Sequence, residues 1–438
     1  MNAPKGTMTV RQAAFIGVGA MVGAGIFALL GEAGSVAGSA VWLSFVLAGV
    51  IAGFQGYSFA KFGARYPSAG GLLEYLARGF GEGHVTGASC WLTYASNIVV
   101  TALVASSFGS YASSLFIGEH AVAGWDKVFA AAILLVMLWL NVVGTEAVAK
   151  VQSVIVWIVV AILLAFAVVT IWNMDPTLLD PAGYPPAREI VSSVALTFFA
   201  FLGFGVVTFT AKDLPDPSRQ LPRAMYLALT IATVTYVAVA LGVFGTLSVE
   251  EVIESGGTAI AVAAEPTLGQ VGFWLMSVTG LFATAGATNS GIYPAGGLSL
   301  QLASTGQFPP LFGRSIGRAA VGMLIMVAAT LVLALGFDLG AIASIGSAVA
   351  LTIFSLVTLA HLRIRRETGA RLIPLVLGLL TTTVTLLVFA TTTLVNEPAA
   401  TTALAVIILL SIGLDVWWKR ARGARQPSHA AVPTGEES

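Results

Sequence analysis

The sequence predicts an all-α polytopic membrane protein of about twelve transmembrane helices. Three observations carry this. The 438 residues are 57% hydrophobic and only 10% charged, whereas a soluble domain carries about 25% charge. Apolar runs of about twenty residues recur along the chain, each long enough to cross the hydrocarbon core, and mean hydropathy is +0.90. The basic residues also segregate by loop, as positive-inside sorting requires.

The expected spans are 12–33, 39–62, 86–115, 127–145, 149–173, 190–210, 222–247, 270–301, 320–337, 340–362, 372–394 and 400–418. With the N-terminus inside, the outer loops hold only Lys127 and Arg188 of the 21 basic residues. The inner clusters are Lys61/Arg65/Arg78, Lys212/Arg219/Arg223, Arg314/Arg318, Arg363/Arg365/Arg366/Arg371 and Lys419/Arg420/Arg422/Arg425. Acids such as Glu119, Asp126, Asp175, Asp180, Glu250, Glu251 and Glu254 fill the outer loops. Both termini are therefore expected in the cytoplasm, and the membrane is the cytoplasmic one. The first apolar run reads as a retained span rather than a cleaved signal. Residues 1–11 are then an N-terminal arm, and 419–438, rich in Pro, Ser, Gly and charge, read as a disordered tail.

The first span carries the strongest local signal. Residues 16–31 read I-G-V-G-A-M-V-G-A-G-I-F-A-L-L-G, and the tight Gly23-Ala24-Gly25 is the expected helix break. In lipid a break leaves N–H and C=O groups unpaired, so it survives only when buried or lining a wet cavity. The half-helix that follows offers N–H groups to an anion. The competing reading is glycine for close helix packing. A dinucleotide fingerprint is excluded because no strand–turn–helix surrounds the glycines. The sixth span repeats the pattern: 196–210 read L-T-F-F-A-F-L-G-F-G-V-V-T-F-T, with Gly203 and Gly205 at mid-span. Paired interruptions five spans apart point to a transport site in two oppositely oriented five-helix units. In the connector Lys212–Arg223, Pro215, Pro217 and Pro222 stop span six and open span seven.

Other chemistries find little support. One cysteine, Cys90, excludes an intrachain disulfide and a thiolate cluster. His84, His120, His361 and His429 show no ligand spacing, so no metal, catalytic residue or cofactor is expected. No nucleophile–base constellation suggests an enzyme. A channel would show filter repeats or charged rings. A sensor would need a signalling domain, and no nucleic-acid partner is expected. No ionisable group is expected deep in a span, where one would mark a proton relay.

Four motifs resemble those of the amino acid permeases of the amino acid–polyamine–organocation superfamily. They are G-A-G-I-F at 23–27, Y-P-S-A-G-G-L-L-E-Y at 66–75, A-K-D-L-P-D-P-S-R-Q-L-P-R-A-M at 211–225, and G-Q-F-P-P-L-F at 306–312. The resemblance covers nearly all of residues 10–420. It implies a LeuT-like inverted 5+5 core with broken helices 1 and 6: a first repeat over 12–173, a second over 190–362, and accessory helices over 372–418. It implies a substrate carboxylate at Gly23, Ala24, Gly25 and Ile26, and an amine at carbonyls near Phe199, Ala200 and Leu202, beside Gly203. Phe199 matches the aromatic gate of relatives, with Phe201 and Phe204 nearby. Asn97 matches a polar pocket residue, with Val100 one turn on; an interhelical hydrogen bond competes for Asn97. Thr288, Asn289 and Ser290 loosely match a sodium site.

The departures are informative. Gly205 stands where many relatives carry an acidic residue, and V-I-V-W-I-V-V at 154–160 lacks the lysine of proton-coupled members. Exchange and ion symport, with H+ or Na+, both remain open. The mostly apolar pocket favours a neutral amino acid, with an amine or polyamine carrier as the alternative. The carrier is expected as a monomer or homodimer. Glu74 is placed to pair with Arg78, four residues on.

Overall fold

The computed structural model describes residues 8–22, 25–66, 71–81, 83–118, 124–143 and 146–423. Gly23 and Ala24 lie outside them, as do residues 67–70 of the second motif. The described chain is helical almost throughout. The helices are α1 (Val10–Val22), α2 (Ile26–Ala37), α3 (Val41–Arg65), α4 (Gly71–Phe80), α5 (His84–Phe116), α6 (Trp125–Val143), α7 (Glu146–Trp172) and α8 (Ala187–Phe199). They continue as α9 (Pro217–Phe244), α10 (Val249–Ser255), α11 (Ala259–Ser304), α12 (Val321–Gly336), α13 (Leu339–Thr368), α14 (Leu372–Thr392) and α15 (Pro398–Gly423). The sole sheet among the described residues is a hairpin pairing Ser315–Ile316 with Ala319–Ala320, turned at Gly317 with φ 59°.

Among the described residues, ten helical segments are long and apolar enough to cross a membrane, and α1 and α12 are shorter apolar helices. Burial sorts them into centre and periphery. The windows in Leu339–Thr368 and Ala187–Ala211 are 78% and 67% buried, while those in Trp125–Val143 and Pro398–Arg422 are each 17% buried. The outer helices are nonetheless apolar: Trp139, Trp157, Val168, Val332 and Leu409 are exposed. An apolar exposed shell around a packed centre is what a lipid solvent selects.

The expected spans match the helices to within a few residues, with three differences. Span seven begins at Pro217 rather than 222, because Pro217 supplies the favoured first-turn proline and Pro222 falls early in the helix. Span eight is the distal part of a 46-residue helix interrupted at Gly269, whose φ of 64° only glycine adopts readily. Span twelve continues to Gly423, so residues 419–423 are helical rather than disordered. The Lys419 ammonium donates to the Gly83 carbonyl at 2.8 Å, and the Trp418 indole donates to the Gly306 carbonyl at 3.0 Å. These bonds hold the last helical turns on the bundle.

Three ionisable groups are buried or half-buried near the ends of expected spans: Glu32 in 12–33, His361 in 340–362 and Asp415 in 400–418. Asp415 is buried on α15, 2.8 Å from Lys419 and 2.7 Å from His84. His361 is buried on α13 between the Ser58 hydroxyl, 2.7 Å away, and that of Thr368, 2.8 Å away. Glu32 on α2 points at α13, where a Cβ at Gly340 would meet its carboxylate at 2.6 Å. Each group has a neighbour on a helix far away in sequence, which scanning one span at a time does not show.

Candidate functional site

The break expected at Gly23-Ala24-Gly25 falls largely outside the described residues. α1 ends at Val22, α2 starts at Ile26, and residues 23–24 lie outside the described set. At about 1.5 Å per residue, neither the 13-residue α1 nor the 12-residue α2 crosses a bilayer alone. Across the gap, Gly25 N–H donates to the Met21 carbonyl at 2.9 Å.

The second break lies at Ala200. α8 stops at Phe199, and a 3-10 helix runs over Leu202–Asp213. The turn tightens through i→i−3 bonds: Ala200 N–H to Thr197 carbonyl, Phe201 N–H to Phe198 carbonyl, and Phe204 N–H to Phe201 carbonyl. A 12-residue 3-10 run is long for that geometry. Side-chain bonds help hold it, with Thr208 donating to the Gly205 carbonyl at 2.6 Å and Thr210 to the Val207 carbonyl at 2.7 Å.

The residues on either side of 23–24 pack directly on the second break. A Cβ at Gly25 would stand 2.6 Å from the Ala200 carbonyl oxygen and 2.6 Å from the Tyr236 hydroxyl. A Cβ at Gly203 would stand 2.5 Å from Met21 N and 2.6 Å from the Ala20 carbonyl oxygen. Backbone approaches backbone here, so the glycine requirement is steric. Tyr236, buried on α9, completes the junction by donating to the Ala200 carbonyl at 3.1 Å. Its ring packs between Phe45 at 5.5 Å and Phe201 at 5.1 Å. Ile26 and Ala200 are buried, and Leu202 and Gly203 are half-buried.

The three phenylalanines of span six diverge. Phe199 lies against α13, where a Cβ at Gly346 would collide with the edge of its ring. Phe201 turns to Tyr236. Phe204 meets Phe59 at 5.4 Å and Phe354 at 5.3 Å. Phe201 and Phe204 are therefore packed between helices, and Phe199 alone of the three lies over a glycine of the central helix.

Asn97 donates to the Gly291 carbonyl at 3.0 Å and contacts Met326 Sδ at 3.8 Å. It links α5 to α11 and α12. Val100 is half-buried against the core. Thr288, Asn289 and Ser290 do not converge on one point. Thr288 is buried and donates to the Thr284 carbonyl at 2.8 Å, Asn289 accepts from Asn141 at 2.8 Å, and Ser290 is exposed and donates to the Gly286 carbonyl at 3.0 Å. Three consecutive helical residues point in three directions.

A narrow cleft beside the first break lies between α1, α7 and α11, lined by Gly19, Val22, Val156, Val159, Phe282 and Gly286 among others. Its α7 wall comes from the lysine-free 154–160 stretch. No group of three or more His, Cys, Asp or Glu residues among the described residues is arranged to hold a metal ion. At the bundle edge, Glu74 meets Arg78 at 3.4 Å as its spacing predicts, and Arg78 lies over the Tyr66 ring at 4.8 Å. The Tyr66 hydroxyl donates to Glu367 at 2.7 Å, and that bond holds it above its ordinary pKa. Glu397, between α14 and α15, is pushed up by burial and by nearby Asp338, against a hydrogen bond from Ser344.

Comparison with known proteins decides the family. Residues 8–414 match the family model described as amino acid permease. The chain belongs to that family. This permease is 32% identical over 380 residues to the inner membrane transport protein YbaT of Escherichia coli K12, covering 86% of this chain and 88% of the relative. It is 31% identical over 368 residues to an uncharacterized protein of Methanocaldococcus jannaschii, covering 83% and 84% of the two chains. It is 27% identical over 383 residues to the vacuolar cationic amino acid transporter 2 of Arabidopsis thaliana, covering 82% of this chain and 59% of the relative. The permease is a multi-pass membrane protein that carries amino acids or related solutes across a membrane by secondary transport, and it is not an enzyme.

Tyr236 and Gly346 were not singled out from the sequence. A signal for Tyr236 exists in I-A-T-V-T-Y-V-A at 231–238: a phenol alone at mid-span must find an acceptor. Gly346 has no such signal, because its role depends on which ring the fold places opposite.

Proposed function

We propose that the permease moves a neutral amino acid by alternating access around the junction of the two breaks. In this reading 12–173 and 190–362 form an inverted five-plus-five core, α14 and α15 are accessory, and both termini are cytoplasmic in the cell membrane. The substrate carboxylate meets N–H groups at Gly23–Ile26, at the positive end of α2. Its amine meets carbonyls at Phe199, Ala200 and Leu202, and Phe199 closes over it. The observation that carries this reading is the backbone-to-backbone contact of Gly25 with Ala200 and of Gly203 with Ala20 and Met21. Two independent packing glycines would not need to meet each other at their helix interruptions. The neutral-substrate reading is supported by the junction's residues, Ile26, Phe199, Ala200, Leu202 and Tyr236, none of which is charged.

The apolar α7 wall of the cleft supports exchange or facilitated movement over lysine-dependent proton coupling. The bond between Asn97 and the Gly291 carbonyl supports an interhelical role for Asn97. The divergent directions of Thr288, Asn289 and Ser290 weigh against those three as one sodium site. Uptake into proteoliposomes tests the reading, with labelled leucine, arginine, glutamate and putrescine, with and without internal amino acid and with and without proton or sodium gradients. Leucine uptake that requires internal amino acid and ignores both gradients is expected. Putrescine uptake in preference to every amino acid would replace this reading with that of an amine carrier.

A further inference from the structure

The seam between α5 and α11 is tied directly at one level. Asn97 of α5 donates to the Gly291 carbonyl of α11 at 3.0 Å, and a Cβ at Gly291 would collide with the Thr101 side chain of α5. About four turns along, the same seam carries hydroxyls of a different kind. Ser107 and Tyr111 of α5 and Ser277 of α11 are each 0% exposed, and none of their hydroxyls has a hydrogen-bond partner among the described residues. Nearby hydroxyls behave otherwise. On α5, Thr93, Thr101 and Ser110 donate to the carbonyl four residues back, and on α11 Thr279, Thr284 and Thr288 do the same. That acceptor is within reach of any helical serine, yet Ser107 and Ser277 do not take it.

The three groups share one corner of the bundle. The Tyr111 ring lies against α11, where a Cβ at Gly280 would stand 2.9 Å from it, and Phe27 of α2 meets it edge-on at 5.8 Å. Helical side chains lean toward the N-terminus of their helix, so Tyr111 leans toward Ser107, one turn back. Ser277 lies one turn from Gly280, on the helical stripe 277, 280, 284, 291 whose two glycines meet α5. A phenol and two serines offer three donors and their lone pairs, with no net charge. Water matches that set, because it donates and accepts and satisfies buried polar groups that cannot reach one another. We propose that Ser107, Tyr111 and Ser277 form an internal water site at the α2–α5–α11 corner, and that ordered water there ties α5 to α11 as Asn97 does directly at the other level. The site is separate from the junction of the two breaks and does not depend on which substrate is carried.

Two measurements on the full chain test this. X-ray radiolysis of bound water oxidises the side chains it touches, and mass spectrometry reads where. Tyr94 on the same helix is the control, since it is buried and its hydroxyl donates to the Gly322 carbonyl. Tyr111 is expected to oxidise at least about fivefold faster than Tyr94; equal or slower oxidation overturns the proposal. The second measurement is the melting temperature of Tyr111→Phe, Ser107→Ala and the double variant. Each single change leaves the other hydroxyl and the water short of a partner, so each is expected to melt about 2–4 °C lower than wild type. The double variant is expected to melt no lower than the weaker single one. In a dry seam, deleting an unpaired hydroxyl leaves the melting temperature unchanged or raises it, and that result overturns the proposal. Losses that simply add in the double variant also overturn it, because the two hydroxyls would then share no site.

Discussion

Gly203→Ala examines the junction of the two breaks with a single methyl group. The added carbon would stand 2.5 Å from Met21 N and 2.6 Å from the Ala20 carbonyl oxygen. Ordinary contact begins near 3.4 Å, and the Ala20 carbonyl carbon is nearer still, so the segments must part by about 1 Å. The obstructing atoms are backbone, so no rotamer change relieves the clash. Overpacking of this kind costs about 1–3 kcal/mol. If the closed state bears that cost, kcat/KM for uptake falls by about fivefold to 150-fold. Gly205→Ala, two residues on, is the internal control. Its Cβ would meet the Phe59 ring at 3.6 Å, an ordinary contact, and an effect within about twofold is expected. Both variants are assayed by initial uptake rates in proteoliposomes, normalised to reconstituted protein, with melting temperatures measured in detergent. Equal kcat/KM for Gly203→Ala and wild type would refute the claim that the breaks stay in contact during transport. So would equal losses for the two alanine variants.

Three further outcomes follow from the same geometry. Phe199→Ala removes the ring that lies over Gly346 and is expected to lower uptake at least tenfold with expression unchanged; normal uptake would remove Phe199 from the site. Asp415→Asn leaves Lys419 and His84 without their carboxylate, and a lower melting temperature is expected, because breaking a buried charged group costs more than the pair contributes; an unchanged melting temperature would show that α15 is not anchored there. Glu397 has a folded-state pKa above its ordinary value, through burial and Asp338. Its ionisation therefore destabilises the fold, and the penalty is absent at low pH and grows as pH rises through the folded pKa. Glu397→Gln is expected to melt higher than wild type at about pH 8 and to converge with it at about pH 4; a constant difference across that range would contradict the shift.

The helix pattern was legible because lipid imposes a length and a composition on every span. The first break was expected because Gly23 and Gly25 place two poor helix formers in one turn, and α1 and α2 end and begin on either side of residues 23–24. The second was legible only in part. Gly203 and Gly205 marked its region, but the sequence does not say that Gly203 touches Ala20 while Gly205 faces the Phe59 ring. The three phenylalanines show the same limit. Phe199, Phe201 and Phe204 are near neighbours in sequence, yet the tightened turn sends them to α13, to α9 and to the α3–α13 seam. The buried ionisable groups were missed for a related reason. Asp415 sits in an apolar stretch near the end of its helix, and its partner His84 is 331 positions away. Asn97 was read both as pocket and as interhelical link, and its bond to Gly291 shows the link.

The central claim, that substrate occupies the junction of the two breaks, is tested most directly by substrate protection of a cysteine placed there. Cys90 is buried and is the sole native cysteine, so a Cys90→Ser background is simple to build. Leu202→Cys, half-buried at the second break, is labelled with a small thiol reagent in proteoliposomes, with and without saturating amino acid. The account predicts a labelling rate at least about fivefold slower with substrate present. Equal labelling rates in a variant that still transports would contradict it.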